Sequence, residues 1–243
     1  MDALSLYKSG QLRQAIQALG EELRKQPLDA RKRTFLFELL CFAGEYARAE
    51  KQLDLLGDAN KDAAAGALLY RSALHAEKTR QRMFETGEFP AQGAGRQSPP
   101  GNLNGTPFSC LTDADPRVGP NLEVFIAGSY NWIPFEYIER IQIERPTKLR
   151  GLLWAQAKVR TTPSFRLQDL GDVLLPVLSP LSWKCADEAV ALGRSTIWET
   201  DERFGEVPLG QKLLAADSDD VPFLEVQALT WKHSAEGPQI ASA

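Results

Sequence analysis

The chain has 243 residues, 28 basic and 32 acidic, with a formal net charge of −4; the length suits one large or two modest domains, and so mild an acidic balance excludes a nucleic-acid groove or a surface for anionic lipid. No apolar run approaches the roughly 20 residues that span a bilayer, and Met1-Asp2-Ala3 opens into an amphipathic helix rather than a signal-peptide core. Cys41, Cys110 and Cys185 are too scattered for a disulfide framework or a paired-cysteine zinc site, so the expected protein is soluble and cytoplasmic, holds no metal or other cofactor, and takes protein partners.

From the N-terminus, Gly10 and Ala15 recur 34 residues later as Gly44 and Ala49, and the same step links Leu6 to Leu40, Leu12 to Tyr46, Leu19 to Leu53 and Leu40 to Leu74. Thirty-four is the period of the tetratricopeptide helix pair. Leu4, Leu6, Leu12, Ala15, Ile16, Leu19 and Leu23 predict two short helices broken at Gly10 and stopped at Pro27. Phe35, Leu36, Leu39 and Leu40, then Ala47, Ala49, Leu53 and Leu56, repeat the plan around Gly44. A third helix over roughly 63–85 carries Lys78 and Met83 where the glycine and alanine belong, so this unit is degenerate. Residues 1–85 are therefore expected to resemble a tetratricopeptide α-α superhelix. In that register Tyr7, Cys41 and His75 share the concave face with Leu4, Arg31, Thr34, Glu38, Phe42, Leu68 and Ser72, a mixed groove suited to an amphipathic helix or extended peptide; packing against a neighbouring helix or a second domain is the alternative.

Residues 86–107 are rich in Gly and Pro, without periodicity, and read as a linker or mobile loop. From 108 onward short apolar stretches predict strands at Leu122–Tyr130, around Ile138, Ile141 and Ile143, at Leu152–Val159, Val173–Leu178 and Phe223–Trp231, with a helical turn at Ala186–Leu192. The expected fold class is thus α+β and multidomain: the helical superhelix, then a β-rich domain over 108–243, either an antiparallel sheet or a small barrel.

This second half carries a family resemblance. The run from Asp113 through Asp115, Arg117 and Glu123 to Val124, then Gly128-Ser129-Tyr130-Asn131-Trp132-Ile133-Pro134, Leu149-Arg150-Gly151-Leu152-Leu153-Trp154, Pro176-Val177-Leu178-Ser179-Pro180 and Leu192-Gly193-Arg194-Ser195-Thr196-Ile197-Trp198 resembles the ImpE/TagJ family of accessory proteins of the bacterial type VI secretion system. Gly151, Ser179 and Ile197 depart from its usual pattern. The resemblance implies a non-enzymatic cytoplasmic adaptor that binds a helix of the small subunit of the contractile sheath and assists sheath turnover by an AAA+ unfoldase of the ClpV type.

Two rival functions remain. An enzyme would use Asp113, Asp115 or Glu123 as metal ligands or as an acid and base pair; the turn composition of Asp113-Ala114-Asp115-Pro116 and the lack of histidine between 76 and 232 favour a structural role. A scaffold without a helical ligand is the other. Arg117 and Arg194 are expected in ion pairs with nearby acids. Tyr130, Trp132, Trp154, Trp183, Trp198 and Trp231 are expected mostly in the sheet core, with Trp132 at a domain junction.

Overall fold

A computed structural model describes residues 1–57, 61–90, 97–165 and 169–233. Five helices come first: α1 (Ala3–Lys8), α2 (Leu12–Lys25), α3 (Ala30–Phe42), α4 (Tyr46–Gly57) and α5 (Lys61–Thr86). Asp2 caps α1 by accepting from the Ser5 amide, and Asp29 caps α3 by accepting from the Lys32 amide. The two recurring glycines end α1 and α3 in the same way. Gly10 (φ +84°) and Gly44 (φ +69°) are left-handed; the amides of Gln11 and Glu45 donate to Leu6 O and Leu40 O, both at 2.9 Å, and the glycine amides donate to Tyr7 O and Cys41 O. This is a Schellman closure used twice, one repeat apart. The third unit has no such glycine, so α5 runs unbroken for 26 residues, about 39 Å at 1.5 Å per residue.

The strands follow: β1 (Gly101–Leu103), β2 (Thr106–Phe108), β3 (Leu111–Asp113), β4 (Asn121–Ile126), β5 (Ser129–Pro134), β6 (Ile138–Ile143), β7 (Trp154–Thr161), β8 (Asp169–Pro176), then α6 (Glu188–Ala191), β9 (Thr196–Asp201), β10 (Gly205–Gly210), β11 (Leu213–Ala216), β12 (Asp219–Pro222) and β13 (Ala228–Trp231). Eight strands form one antiparallel sheet in the order β2-β1-β13-β6-β7-β8-β4-β5, flanked by a three-stranded β12-β11-β3 sheet and a β10-β9 ribbon. The fold is therefore α+β, with the antiparallel sheet rather than the barrel.

Part of the expected linker is strand. Asn104 (φ +52°) and Gly105 (φ +92°) make the two-residue turn between β1 and β2, and Asn104 Oδ1 accepts from the amides of Gln227 and Ala228, fastening the turn to β13. Positions 91–96 of that stretch lie outside the described residues.

Two apolar cores divide the molecule differently from the chain. One lies within the sheet half, built from Leu122, Val124, Ile138, Ile141, Ala157, Val173 and their neighbours. The other joins α1–α5 to Phe125, Leu153, Trp154, Ala191 and Leu192. Strand alternation explains the split: Leu122 and Val124 face one core, while Phe125 faces the helices.

Candidate functional site

One face of α5 carries Glu77, Arg80, Gln81 and Phe84, the i, i+3, i+4, i+7 spacing of an amphipathic stripe. Three of the four are polar, yet all are buried, Arg80 to 1% exposure. A buried charge needs a partner, and the strand opposite supplies it. Glu123 shares the helix-facing side of β4 with Phe125, and accepts from Arg80 Nε at 2.7 Å and Nη2 at 3.0 Å. Lys212, between β10 and β11, donates to Glu123 and to Asp113 Oδ2, the latter at 2.5 Å. Tyr130 donates its hydroxyl to Glu123 Oε1 at 2.5 Å and accepts from the Trp132 indole. Glu77 accepts from Arg80, from Gln81 and from Trp154 Nε1 at 2.9 Å. Gln81 Oε1 in turn accepts from the Leu181 amide and the Trp183 indole.

Asp113 and Asp115 also hold the turn before β4. Asp113 Oδ1 accepts from the Asp115 amide, Asp115 Oδ1 from the Arg117 amide, both at 3.0 Å, and the Arg117 guanidinium returns to Asp115 at 2.6 Å while lying over Phe84. Four carboxyls (Glu77, Asp113, Asp115, Glu123) thus share this region with three cations (Arg80, Arg117, Lys212). Burial acts to raise Glu123, but Arg80 and Lys212 outweigh it and hold this carboxylate well below the usual range. Burial lifts Asp113 to about 6 against the pull of Lys212, with Glu123 and Asp115 adding repulsion. The bordering cavities measure about 10 and 20 Å³, room for a single water each. Among the described residues every buried side-chain polar atom has a hydrogen-bond partner, and no group of three or more His, Cys, Asp or Glu is placed to hold a metal ion. The cluster is saturated, and its chemistry is to clamp α5 onto the sheet.

Three further contacts extend the clamp. The turn at Leu149–Leu152 sets Arg150 over the Tyr70 ring, where its guanidinium donates to the Tyr70 hydroxyl. Arg194 donates to Tyr7 O at 2.5 Å and Lys8 O at 2.9 Å, satisfying the last carbonyls of α1. Trp132 stacks on Phe89 beside Phe84, and Phe89 meets Phe204 edge-on.

The family model described as ImpE protein matches residues 105–230, more than half of the chain. The chain belongs to the ImpE family. This ImpE chain is 29% identical to the type VI secretion system accessory component TagJ of Pseudomonas aeruginosa, over 96% of its own length and 92% of that protein. Its fold is similar to that of a Vibrio parahaemolyticus protein solved by X-ray crystallography, with a TM-score of 0.84 at 23% identity, covering 96% of this chain and 98% of the other.

In this ImpE chain part of the face expected to line a groove is covered by the sheet half. Glu38, Cys41 and Phe42 are buried, Cys41 and Phe42 beside Leu153, Trp154 and Trp183. Tyr7 is half-buried between Phe35 and Arg194; Ser72 lies under Gly128 at the β4–β5 turn; Thr34 bonds back to Ala30 O. Leu4, Arg31, Leu68 and His75 remain exposed. The correction has a plain physical reason: repeat register identifies an inner face, whereas Trp154, Trp183, Arg150 and Arg194, far along the sequence, fill it. Of the motif residues, Asp113, Asp115, Arg117, Glu123, Tyr130, Trp132 and Trp154 converge on the clamp, Arg194 clamps α1, and Trp198 stands apart, 42% exposed. Sequence reasoning missed Glu77, Arg80, Gln81 and Lys212. The i, i+3 pair Glu77–Arg80 was a signal for the helix side; Lys212 had none.

Burial lifts Glu38 to about 7, opposed by Arg150 and Lys148. A carboxyl whose folded value is raised binds its proton more tightly in the folded state, so its stabilising effect is full below about 4.5 and is lost as pH rises through 7. Glu38→Gln is therefore expected to remove about 2 kcal/mol of the stability loss between pH 5 and 8, read from urea unfolding midpoints at both pH values. An unchanged pH dependence would contradict the assignment.

Proposed function

We propose that this protein is a non-catalytic accessory factor of the type VI secretion system, working in the bacterial cytoplasm as an adaptor. Family membership and the kinship with TagJ support the secretion-system role. The saturated state of Asp113, Asp115 and Glu123, enclosed beside water-sized cavities, speaks for binding over catalysis. One observation carries the binding surface: among the described residues most of the large exposed apolar side chains, Met1, Leu4, Leu28, Leu55, Leu68 and Leu69, sit on the helical half, read here as a tetratricopeptide-like superhelix. Such anchors fit the apolar stripe of an amphipathic helix, here a helix of the small sheath subunit, with delivery to a ClpV-type AAA+ unfoldase as the downstream step. The accessible part of the inner register, Leu4, Arg31, Leu68 and His75 with Tyr7, Thr34 and Ser72 beside it, is the proposed contact.

A scaffold without a helical ligand is the second reading, favoured by the covering of Glu38, Cys41 and Phe42. Calorimetric titration of the purified small sheath subunit separates the two. Combined Leu4→Glu and Leu68→Glu substitutions, at exposed positions, are expected to weaken its binding at least about tenfold, roughly 1.4 kcal/mol. Absence of binding by the wild-type chain would favour the scaffold; equal binding by the variant would move the contact elsewhere.

A further inference from the structure

The β9–β10 ribbon stands outside the clamp. Among the described residues β9 pairs only with β10, in an unbroken register from Thr196↔Gly210 to Asp201↔Gly205. Trp198 lies opposite Pro208. Proline has no amide hydrogen, so this pair is one of the non-hydrogen-bonded pairs of the ladder. Gly210, of the same parity as Pro208, confirms the phase: its amide donates to Ser182 Oγ and its carbonyl accepts from the Ser179 amide, both away from β9. The backbone groups of Ile197 and Glu199 therefore bond to β10, and those of Trp198 and Thr200 point outward.

Of the usual protections that outward edge carries only acidic side chains, Glu199 and Asp201. β9 contains no proline, no lysine and no bulge, other features by which natural edges avoid added strands. Ile197 and Trp198 project from its two faces, 36% and 42% exposed, whereas Trp154 and Trp231 are buried. The charges around the edge have one dominant sign. Glu199 and Asp201 lie on the Ile197 face, Glu206 on the Trp198 face where it accepts from Thr200, and Glu202 is in the turn, against Arg203, which lies over Phe204.

We propose that the outer edge of β9 accepts an extended segment of a partner protein as an added strand, one that alternates apolar and basic side chains. The main-chain groups of Trp198 and Thr200 supply the ladder bonds, Trp198 grips the apolar side chains on one face, and Glu199 and Asp201 on the other select lysine or arginine. A second copy of this chain is disfavoured by the same charges, because pairing β9 with β9 sets acid beside acid.

Amide exchange of the full-length ¹⁵N-labelled chain tests this directly. The probe is a capped octapeptide of alternating lysine and valine. In the free chain the Ile197 and Glu199 amides should exchange slowly and those of Trp198 and Thr200 fast; the peptide should slow the latter two at least about tenfold, as ladder formation requires. An octapeptide of alternating glutamate and valine should leave them unchanged, and Glu199→Lys should weaken the basic peptide severalfold. Trp198→Pro removes the outward amide without touching the β9–β10 bonds, so it should abolish binding while Ile197 and Glu199 stay protected, which also verifies the ribbon. The proposal is overturned if the basic peptide leaves Trp198 and Thr200 exchanging as before, if both peptides protect them equally, or if they become protected with protein concentration alone.

Discussion

Glu123→Ala is expected to destabilise the protein by about 3–5 kcal/mol, because it leaves Arg80 and Lys212 buried without their shared counter-charge. Glu123 accepts from Arg80, Lys212 and Tyr130, and the two bordering cavities have room for a single water each in compensation. For a chain of this size the loss corresponds to roughly 10 °C in Tm. Removing both sides of the pair should hurt less than the sum of the single changes. Glu123→Leu with Arg80→Met replaces the main pair by apolar side chains of similar bulk and leaves Lys212 its bond to Asp113 at 2.5 Å, so a coupling of about 2 kcal/mol is expected in the double-mutant cycle. Urea midpoints with an unchanged denaturant slope provide the measurement. A single-variant cost below about 1 kcal/mol would show that water reaches Arg80 and that the clamp is not sealed.

Gly44→Ala has the second large effect. A Cβ there would stand 2.4 Å from Trp183 Cδ2, on a backbone at φ +69°. Left-handed strain and overpacking together are expected to cost about 2–4 kcal/mol. Gly10 separates the two contributions, since it has the same backbone (φ +84°) but a Cβ would meet only Arg194 Nη1 at 3.6 Å, an ordinary contact. Gly10→Ala should thus cost only the strain, about 1 kcal/mol. Combining Gly44→Ala with Trp183→Ala should bring the added penalty at residue 44 down to the Gly10 value. Thermal unfolding that ranks Gly10→Ala as the more damaging change would refute this account.

The contrast between those glycines shows what a linear reading captures. The helix ends were legible, because Gly10 and Gly44 close α1 and α3 through local bonds to Leu6 and Leu40, and local geometry leaves a mark on local sequence. Strands β4, β6, β7 and β8 were legible as apolar runs, but the expected strand at Leu122–Tyr130 runs through the Ala127-Gly128 turn, so β5 was missed. Asn104-Gly105 carried a hairpin signal that the Gly and Pro content of its surroundings concealed. The covering of Glu38, Cys41 and Phe42 left no local mark, since it depends on Trp154 and Trp183 beside Cys41 and Phe42 and on Arg150 beside Glu38. The ionic clamp lies between: Asp113 and Glu123 stood out as candidate acids, and the turn role of Asp113 and Asp115 was expected. Their cations Arg80 and Lys212, however, come from positions 43 residues before Glu123 and 89 after it. A helix face with Glu77 and Arg80 reads as solvated until the opposing strand is known.

The place of β13 governs how the molecule comes into being. The last strand in the chain is inserted between β1 and β6, in the interior of the eight-stranded sheet. The β1–β2 hairpin therefore has no neighbour to dock against until Ala228–Trp231 has been synthesised. At ordinary rates of chain elongation Arg80 leaves the ribosome on the order of ten seconds before Lys212. Until Glu123, Trp154 and Lys212 have followed, Glu77, Arg80 and Gln81 keep this side of α5 hydrated where leucines in their place would invite aggregation. A clamp made of charges is soluble while it stands open, and it becomes a lock only when the final strands close it.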